Sequence, residues 1–257
     1  MKSRTSGRVF NFRIVAVVIG ATLAACAQSG EDSLFQPGQL TFGGTRQIKD
    51  VQPVAGFLPD PSLLQPGGPG QAALVYRNAT ANFAAYNKVF LDPVTIWTEP
   101  DSALNSVPES QRQAAADRFY SDLYNALSKH CQMVTSPAPG TMHLRVALTD
   151  ATTPNALLNT VAHYAPFGFS TGYSLASLAF NNGIGYFAGT AAAEGYATDA
   201  ATGTLLWQAV DKRGGTTALI ANTLNTWRDV DNAFRAWSDK LAAKLQELGA
   251  CGGVKAG

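Results

Sequence analysis

The residues of this 257-residue chain that could most readily act as nucleophiles or metal ligands are three cysteines and three histidines. A zinc site needs about four such ligands at short, characteristic spacings. These six residues are too few and too scattered along the chain to form one. The sequence therefore predicts neither a metal site nor a bound cofactor.

Two glycine-containing motifs have the form of catalytic or cofactor loops. Residues 168–172 (GFSTG) match the G-x-S-x-G elbow of serine hydrolases, but no histidine follows His163 to complete the usual order of the triad. Residues 183–189 (GIGYFAG) resemble a dinucleotide-binding loop with one extra residue, and a turn sequence precedes them where a strand is needed. We expect close backbone packing at these glycines, without hydrolysis or nucleotide binding.

Three carboxylates, Glu194, Asp199 and Asp211, flank a predicted hairpin and could in principle perform acid–base chemistry. Nothing in the sequence brings a base or a substrate pocket to them. We therefore expect them to be solvent-facing charges on strands. His143, on an alternating strand, is likewise expected to be exposed or hydrogen-bonded, and the chain is predicted not to be an enzyme.

The remaining chemical signal surrounds Cys26. Residues 1–13 contain four Lys or Arg and no acidic residue, and residues 14–23 form an apolar run. Ten residues are too short to span ~30 Å of hydrocarbon as a mature helix, but they suit a signal peptide. A secretory signal cut at an Ala-x-Ala-like site and a retained transmembrane helix are the alternatives.

The apolar run ends in Leu23-Ala24-Ala25-Cys26, which resembles the lipobox of bacterial lipoproteins. The resemblance implies cleavage before Cys26 and a diacylglycerol joined to its sulfur by a thioether. Ala27 stands where an Asp commonly retains such proteins in the inner membrane, so it points to the outer membrane. We expect a lipid anchor in the cell envelope, with the protein facing the periplasm.

Net charge argues against a nucleic-acid partner. The whole chain carries a formal charge of +1, and removing residues 1–25 changes it to −3. Binding to nucleic acid depends on a basic surface, which neither form supplies.

The mature chain divides into a tether, a domain and a tail. Residues 26–54 are predicted to be a lipidated, flexible tether reaching on the order of 25–30 Å. Residues 55–251 form the predicted periplasmic domain, in which the apolar residues of 55–64 hold the end of the tether to the domain surface. Residues 252–257 are predicted to be a disordered tail.

Hydrophobic periodicity predicts the fold class. Apolar residues recur at helical spacing after Pro108 up to His130, and again over 226–248 with Gly249 as a stop. Strands are predicted over 73–76, 88–98, 131–135 and 141–149 and in a hairpin over 194–212, with Pro93 marking an edge or a bulge. We expect an α+β fold, a mixed or antiparallel sheet with two long amphipathic helices packed on it.

Residues 151–193 contain no Asp, Glu, Lys or Arg. Three interpretations stay open: an insertion that packs on its own domain, an apolar face that contacts another protomer or a partner, and a segment that contacts the membrane.

Cys131 and Cys251 each follow the C-terminal end of a predicted long helix. If the helices run parallel and side by side, these ends meet, and an oxidising periplasm would join them in a disulfide. Two separate thiols are the alternative.

Several stretches together resemble a known family. They are AGFLPDPSLL (55–64), YNKVFLDPVTIW (86–97), PGTMHLRVALTDA (139–151), AEGYATDAATGTLLWQAVDKRGG (193–215) and TWRDVDNAFRAWSDKL (226–241). The chain resembles the bacterial lipoproteins of domain-of-unknown-function family 3313 over about residues 55–248. That resemblance implies an envelope lipoprotein without an assigned reaction, and it transfers no catalytic residue.

These observations lead us to expect an envelope lipoprotein that acts as a binding or assembly factor. It would contact the membrane through its N-terminal lipid and bind a protein partner or form a homo-oligomer. An oligomeric structural subunit that uses residues 151–193 is the first alternative, and an enzyme acting on an envelope substrate is the second.

Overall fold

The computed structural model describes residues 45–152, 189–215 and 227–252, and these residues form one mixed sheet with two long helices. The predicted α+β class is therefore correct. The strands are β1 (Thr45–Ile48), β2 (Gln65–Pro66), β3 (Leu74–Arg77), β4 (Lys88–Leu91), β5 (Thr95–Ile96), β6 (Gln132–Val134), β7 (Thr141–Thr152), β8 (Thr190–Asp199) and β9 (Leu205–Gly215). The helices are α1 (Glu109–Ser128) and α2 (Arg228–Glu247).

The centre of the sheet is the antiparallel set β7, β8 and β9. The order along the sheet is β2-β3-β9-β8-β7-β4-β6, with β1 on the same edge of β9 as β3, and β5 beside β7. The predicted hairpin is formed by β8 and β9. Its turn is fixed by Gly203, which has a φ of +73°, and by Asp199, whose Oδ1 accepts hydrogen bonds from the amides of Ala201 and Thr202 at 2.8 Å each.

The parallel part of the sheet departs from the predicted strands in two ways. The single strand expected over 88–98 is two strands, because Pro93 interrupts the ladder between β4 and β5. The strands predicted over 131–135 and 141–149 are β6 and β7, and they do not pair with each other; β4 lies between them and is parallel to both.

The two helices cover one face of the sheet and run in the same direction. Phe119 of α1 and Phe234 of α2 stack with their ring centroids 4.5 Å apart, and Arg118 Nε lies 2.9 Å from Asp231 Oδ1. The main hydrophobic core lies between these helices and the inward-facing residues of the sheet. Gly249 ends the second helical region as predicted, with a φ of +82°.

The opposite face of the sheet carries a second, smaller apolar cluster, made by Val51, Leu58, Ala73 and Val210. It forms because the chain leaves β1, crosses this face and returns as β2 and β3. We call residues 51–64 the strap. The predicted contact of residues 55–64 with the domain is thus present, mainly through Leu58, which is buried.

The sheet also takes in residues that the sequence assigned to the tether. Thr45–Ile48 pairs with Gly215–Lys212 of β9, so the ordered domain begins before residue 55. The rest of the predicted tether, residues 26–44, lies outside the described residues. Within the described residues, no helix is both long enough and apolar enough to span a bilayer.

Candidate functional site

The predicted lipidation site, Cys26, and its lipobox residues Leu23, Ala24 and Ala25 lie outside the described residues. The same is true of the G-x-S-x-G motif at 168–172 and of most of the uncharged segment. Only residues 151–152 and 189–193 of that segment are described, as parts of β7 and β8.

The predicted disulfide between Cys131 and Cys251 is present, with the two Cα atoms 4.7 Å apart. Both residues are buried. The amide of Cys251 donates a hydrogen bond to the carbonyl oxygen of Tyr86 at 2.8 Å. The disulfide therefore joins the chain just after the C-terminal ends of α1 and α2, which the parallel arrangement of the helices brings together.

Asp211 is buried, which corrects the prediction that it faces solvent. Its Oδ1 accepts hydrogen bonds from Gln47 Nε2 at 2.6 Å and from the Ala73 amide at 2.9 Å, and its Oδ2 accepts one from Trp237 Nε1 at 2.7 Å. Gln47 lies before the strap and Ala73 after it. The carboxylate thus fixes both ends of the chain excursion that contains the strap and joins them to α2.

Glu194 is also buried, with 1% of its surface exposed, although the sequence predicted a solvent-facing charge. It lies on β8 under the strap, and its Oε1 accepts a hydrogen bond from the Val54 amide at 2.5 Å. Its Oε2 has no hydrogen-bond partner among the described residues. Burial raises the pKa of Glu194 from 4.5 to about 7; the Val54 hydrogen bond opposes this rise, and the charge of Glu99 adds to it.

A second carboxylate holds the next amide of the strap. Glu99 Oε1, which is partly exposed, accepts a hydrogen bond from the Ala55 amide at 2.8 Å. Trp97 Nε1 donates to the Ala55 carbonyl oxygen at 2.9 Å, and the rings of Trp97 and Phe57 have centroids 5.9 Å apart. Val54 and Ala55 are therefore fixed to the sheet mainly by polar side chains of other elements.

Farther along the strap, Gln208 of β9 forms a reciprocal pair with the backbone of Asp60. The Asp60 amide donates to Gln208 Oε1 at 3.3 Å, and Gln208 Nε2 donates to the Asp60 carbonyl oxygen. Gln208 is completely buried, so this pairing satisfies an amide that has no access to water.

Beyond the strap, the same face carries a partly exposed polar array. His143 Nε2 lies 2.9 Å from Asp92 Oδ1, and the His143 ring stacks on Phe90 with a centroid distance of 4.7 Å. Arg145 Nε donates to Asp92 Oδ2 at 2.8 Å, and Arg145 Nη1 donates to Tyr196 Oη at 3.2 Å. His143 is thus paired with a carboxylate, in agreement with its predicted structural role.

Asp199, the third predicted strand carboxylate, is partly exposed and bonded to a tyrosine. Tyr86 donates its hydroxyl to Asp199 Oδ2 at 2.8 Å, and this bond lowers the pKa of Asp199. Burial and the bond to Asp199 together raise the pKa of Tyr86 to about 12.

Among the described residues, no group of three His, Cys, Asp or Glu side chains is placed to hold a metal ion. The carboxyl of Glu194 is unusual because it is buried and one of its oxygens has no hydrogen-bond partner among the described residues. The sequence carries no signal of its burial, because the face of β8 on which Glu194 lies is covered by the irregular strap.

The sequence model of a protein family, described as Protein of unknown function (DUF3313), matches residues 53–241. The chain belongs to the DUF3313 family. The resemblance inferred from the sequence is thus confirmed, and the matched region of this DUF3313 chain includes most of the strap, all of α1, the part of α2 up to residue 241, and Glu194. No curated protein matches the chain.

Two solved structures are similar to part of this DUF3313 chain. The PelC dodecamer from Paraburkholderia phytofirmans aligns at 12% identity over 65% of this chain and 96% of that one, with a TM-score of 0.33. A DUF4136 family protein from Bacteroides thetaiotaomicron aligns at 11% identity over 69% of this chain and 96% of that one, with a TM-score of 0.34. Similarity at this level carries no information about activity.

Proposed function

We propose that this protein is a lipid-anchored component of the cell envelope whose domain binds or assembles with a partner and catalyses no reaction. The anchor is a diacylglycerol on Cys26, the location is the outer membrane, and the domain faces the periplasm. Each buried CH₂ of an acyl chain contributes roughly 0.8 kcal/mol, so several chains on one residue give stable attachment.

The observation that carries this proposal is the sequence Leu23-Ala24-Ala25-Cys26 at the end of a short apolar run that follows a basic segment. Leucine and small residues ahead of a cysteine suit a peptidase that cleaves before it. The thiol of Cys26 is the only strong nucleophile at that position, so it can accept a lipid through sulfur.

The disulfide supports the envelope location. Cys131 and Cys251 are bonded to each other, which leaves Cys26 as the one remaining cysteine of the three. Structural disulfides persist in oxidising compartments such as the periplasm and are rare in the cytosol.

Strand register favours the oligomeric subunit as the second candidate. Thr152 pairs with Thr190, and Gly215 pairs with Thr45, at one end of the sheet. Residues 153–188 and 216–226 both leave from this end, and neither segment contains Asp, Glu, Lys or Arg. Two uncharged segments with adjacent starting points suit a contact between copies of the chain.

Substitution of Cys26 tests the anchor. The Cys26→Ala variant is expected to lose the lipid and move from the membrane fraction to the soluble fraction or remain uncleaved, as read by cell fractionation and intact-mass spectrometry. Ala27→Asp is the matched control, because it retains the cysteine and is expected to stay membrane-bound but in the inner membrane. An unmodified Cys26 thiol in the native protein would overturn the proposal.

Crosslinking in intact cells followed by mass spectrometry separates the two candidates. A binding or assembly factor gives crosslinks to a different protein, whereas an oligomeric subunit gives crosslinks between copies of this chain. Native mass spectrometry of a variant with 166–188 deleted then tests the uncharged segment. A mass corresponding to the same oligomer before and after deletion contradicts its role in assembly.

A further inference from the structure

The strap is attached to the sheet by two neighbouring amides that reach carboxylates in different surroundings. The Val54 amide donates to Glu194, which is 1% exposed, and the Ala55 amide donates to the partly exposed Glu99. A carboxylate in contact with water keeps its charge at little cost. A carboxylate without water must be stabilised by its hydrogen bonds alone.

Glu194 has only part of that stabilisation. Oε1 receives the Val54 amide at 2.5 Å, whereas Oε2 is buried without a partner among the described residues. The strap itself removes water from this carboxyl, since Val54 contacts it from that side. Covering the sheet and keeping Glu194 ionised therefore oppose each other.

The other charged groups near this face are already paired or distant along the strands. Lys212 and Asp150 are 3.4 Å apart in the row beside Glu194, across Ala192. In the next row on the other side, Arg145 is paired with Asp92 and bonded to Tyr196. Among the described residues, two further acidic groups lie near the strap: Glu99, which follows β5, and Asp60, on the strap itself.

The strap carries no charge that could compensate for Glu194. Asp60 is the only charged residue among residues 51–64, and its side chain accepts hydrogen bonds from the amide and hydroxyl of Ser62, within the strap itself. A change in the charge of Glu194 therefore acts directly on the strap's attachment at Val54.

We propose that the strap is a pH-gated cover, closed on the sheet while Glu194 is protonated and progressively released as Glu194 ionises. Release uncovers the part of the second face formed by β8 and β9, including Val210 and Tyr196. The helices and the central strands keep their packing, because the strap contributes nothing to the main core.

The direction of the pH dependence follows from the effect of burial on the proton affinity of Glu194. Under the closed strap the pKa of Glu194 is about 7, whereas in water it returns to about 4.5. The closed form thus binds the proton more tightly, so closure is strongest below pH 4.5 and weakens as the pH rises through 7. Between pH 5 and pH 8 the ratio of open to closed strap is expected to rise by up to ~70-fold.

Hydrogen–deuterium exchange of the full-length protein in detergent micelles tests the proposal. Protection factors for peptides covering 51–64, corrected for intrinsic exchange at each pH, are expected to fall by tens of fold from pH 5 to pH 8. Peptides from α1 and α2 serve as internal references and are expected to change little. Equal changes in all three regions would mean global unfolding and would overturn a local cover.

Two matched variants identify the group responsible. Glu194→Gln retains an oxygen for the Val54 amide but cannot ionise, so the pH dependence of strap protection is expected to disappear. Glu99→Gln removes an equivalent carboxylate from the neighbouring amide, and the step is expected to persist at slightly lower pH, because a repelling charge is lost. A pH step that persists in Glu194→Gln overturns the proposal.

A measurement on the unaltered protein makes the test independent of whether Glu194→Gln folds. Carbon-13 labelling of glutamate gives the titration midpoint of the Glu194 carboxyl by NMR, and nitrogen-15 labelling gives that of the Val54 amide. A shared midpoint near pH 7 supports the gate. A Val54 amide that does not respond at the midpoint of Glu194 contradicts it.

Discussion

The two faces of the sheet are covered in different ways. On one face, two helices bury apolar side chains. Phe119 and Phe234 stack between the helices, and no more than 2% of the surface of either residue is exposed. On the other face, an irregular segment lies across the strands. It is held at Val54, Ala55 and Asp60 by side chains that hydrogen-bond to its backbone.

Because of this difference, the two faces are expected to control different properties: the global stability of the domain and the local opening of the strap. Burial of large apolar side chains by a helix layer contributes cooperatively to the global free energy of unfolding. A cover held by a few hydrogen bonds, each with a net value of about 1 kcal/mol, can open while the rest of the domain stays folded. The helix face should therefore set global stability, and the strap face should respond to local changes.

The largest expected effect is on the helix face. Phe234→Ala leaves a cavity against Phe119 and is expected to lower the free energy of unfolding by about 3–5 kcal/mol, measured by urea denaturation. Leu63→Ala, at an exposed position of the strap, is the control and should change it by less than about 0.5 kcal/mol. Similar losses for the two variants would contradict the proposed division between the faces.

Next in size is the disulfide between the helix ends. Replacing Cys131 and Cys251 together by serine is expected to cost about 2–5 kcal/mol, because the bond closes a loop with a sequence separation of 120 residues. A reductant should lower the denaturation midpoint of the native protein and leave the double variant unchanged. No effect of reductant on the native protein would show that the bond does not stabilise the folded domain.

The smallest effect is expected on the strap. Trp97→Phe keeps an aromatic ring beside Phe57 but removes the Nε1–H donor to the Ala55 carbonyl oxygen, a loss of about 1 kcal/mol. That loss corresponds to about fivefold faster hydrogen exchange at strap amides, with helix amides unaffected. Trp207→Phe is the matched control, since Trp207 Nε1 has no hydrogen-bond partner among the described residues; an equal change there would contradict this account.

Elements with a regular hydrophobic period were predictable from the sequence. The two helices lie within a few residues of their predicted bounds, because apolar residues at spacings of three and four mark one face. The predicted helix ends also placed Cys131 and Cys251 just beyond them, so that the two cysteines would meet if the helices ran parallel, as they do in the structure. Pro93 marked the position of a break, although the sequence did not divide the strand in two.

The buried carboxyls were not predictable in the same way. Alternation along β8 places Glu194 opposite the apolar residues that face the helices, and such a position is normally in water. It is buried only because the strap returns to cover that face. The strap has no period of its own, and part of its attachment depends on residues more than a hundred positions away, such as Gln208.

The way the chain enters and leaves the strap has a mechanical consequence. Ile48 pairs with Lys212 and Leu74 pairs with Val210, so the excursion between them begins and ends two positions apart on a single strand, with Asp211 bonded to both sides. A loop whose two ends are fixed this close together can open and close without changing the register of the strands. A pull transmitted along the chain to Thr45 would reach the β1–β9 pairing before it reaches this loop.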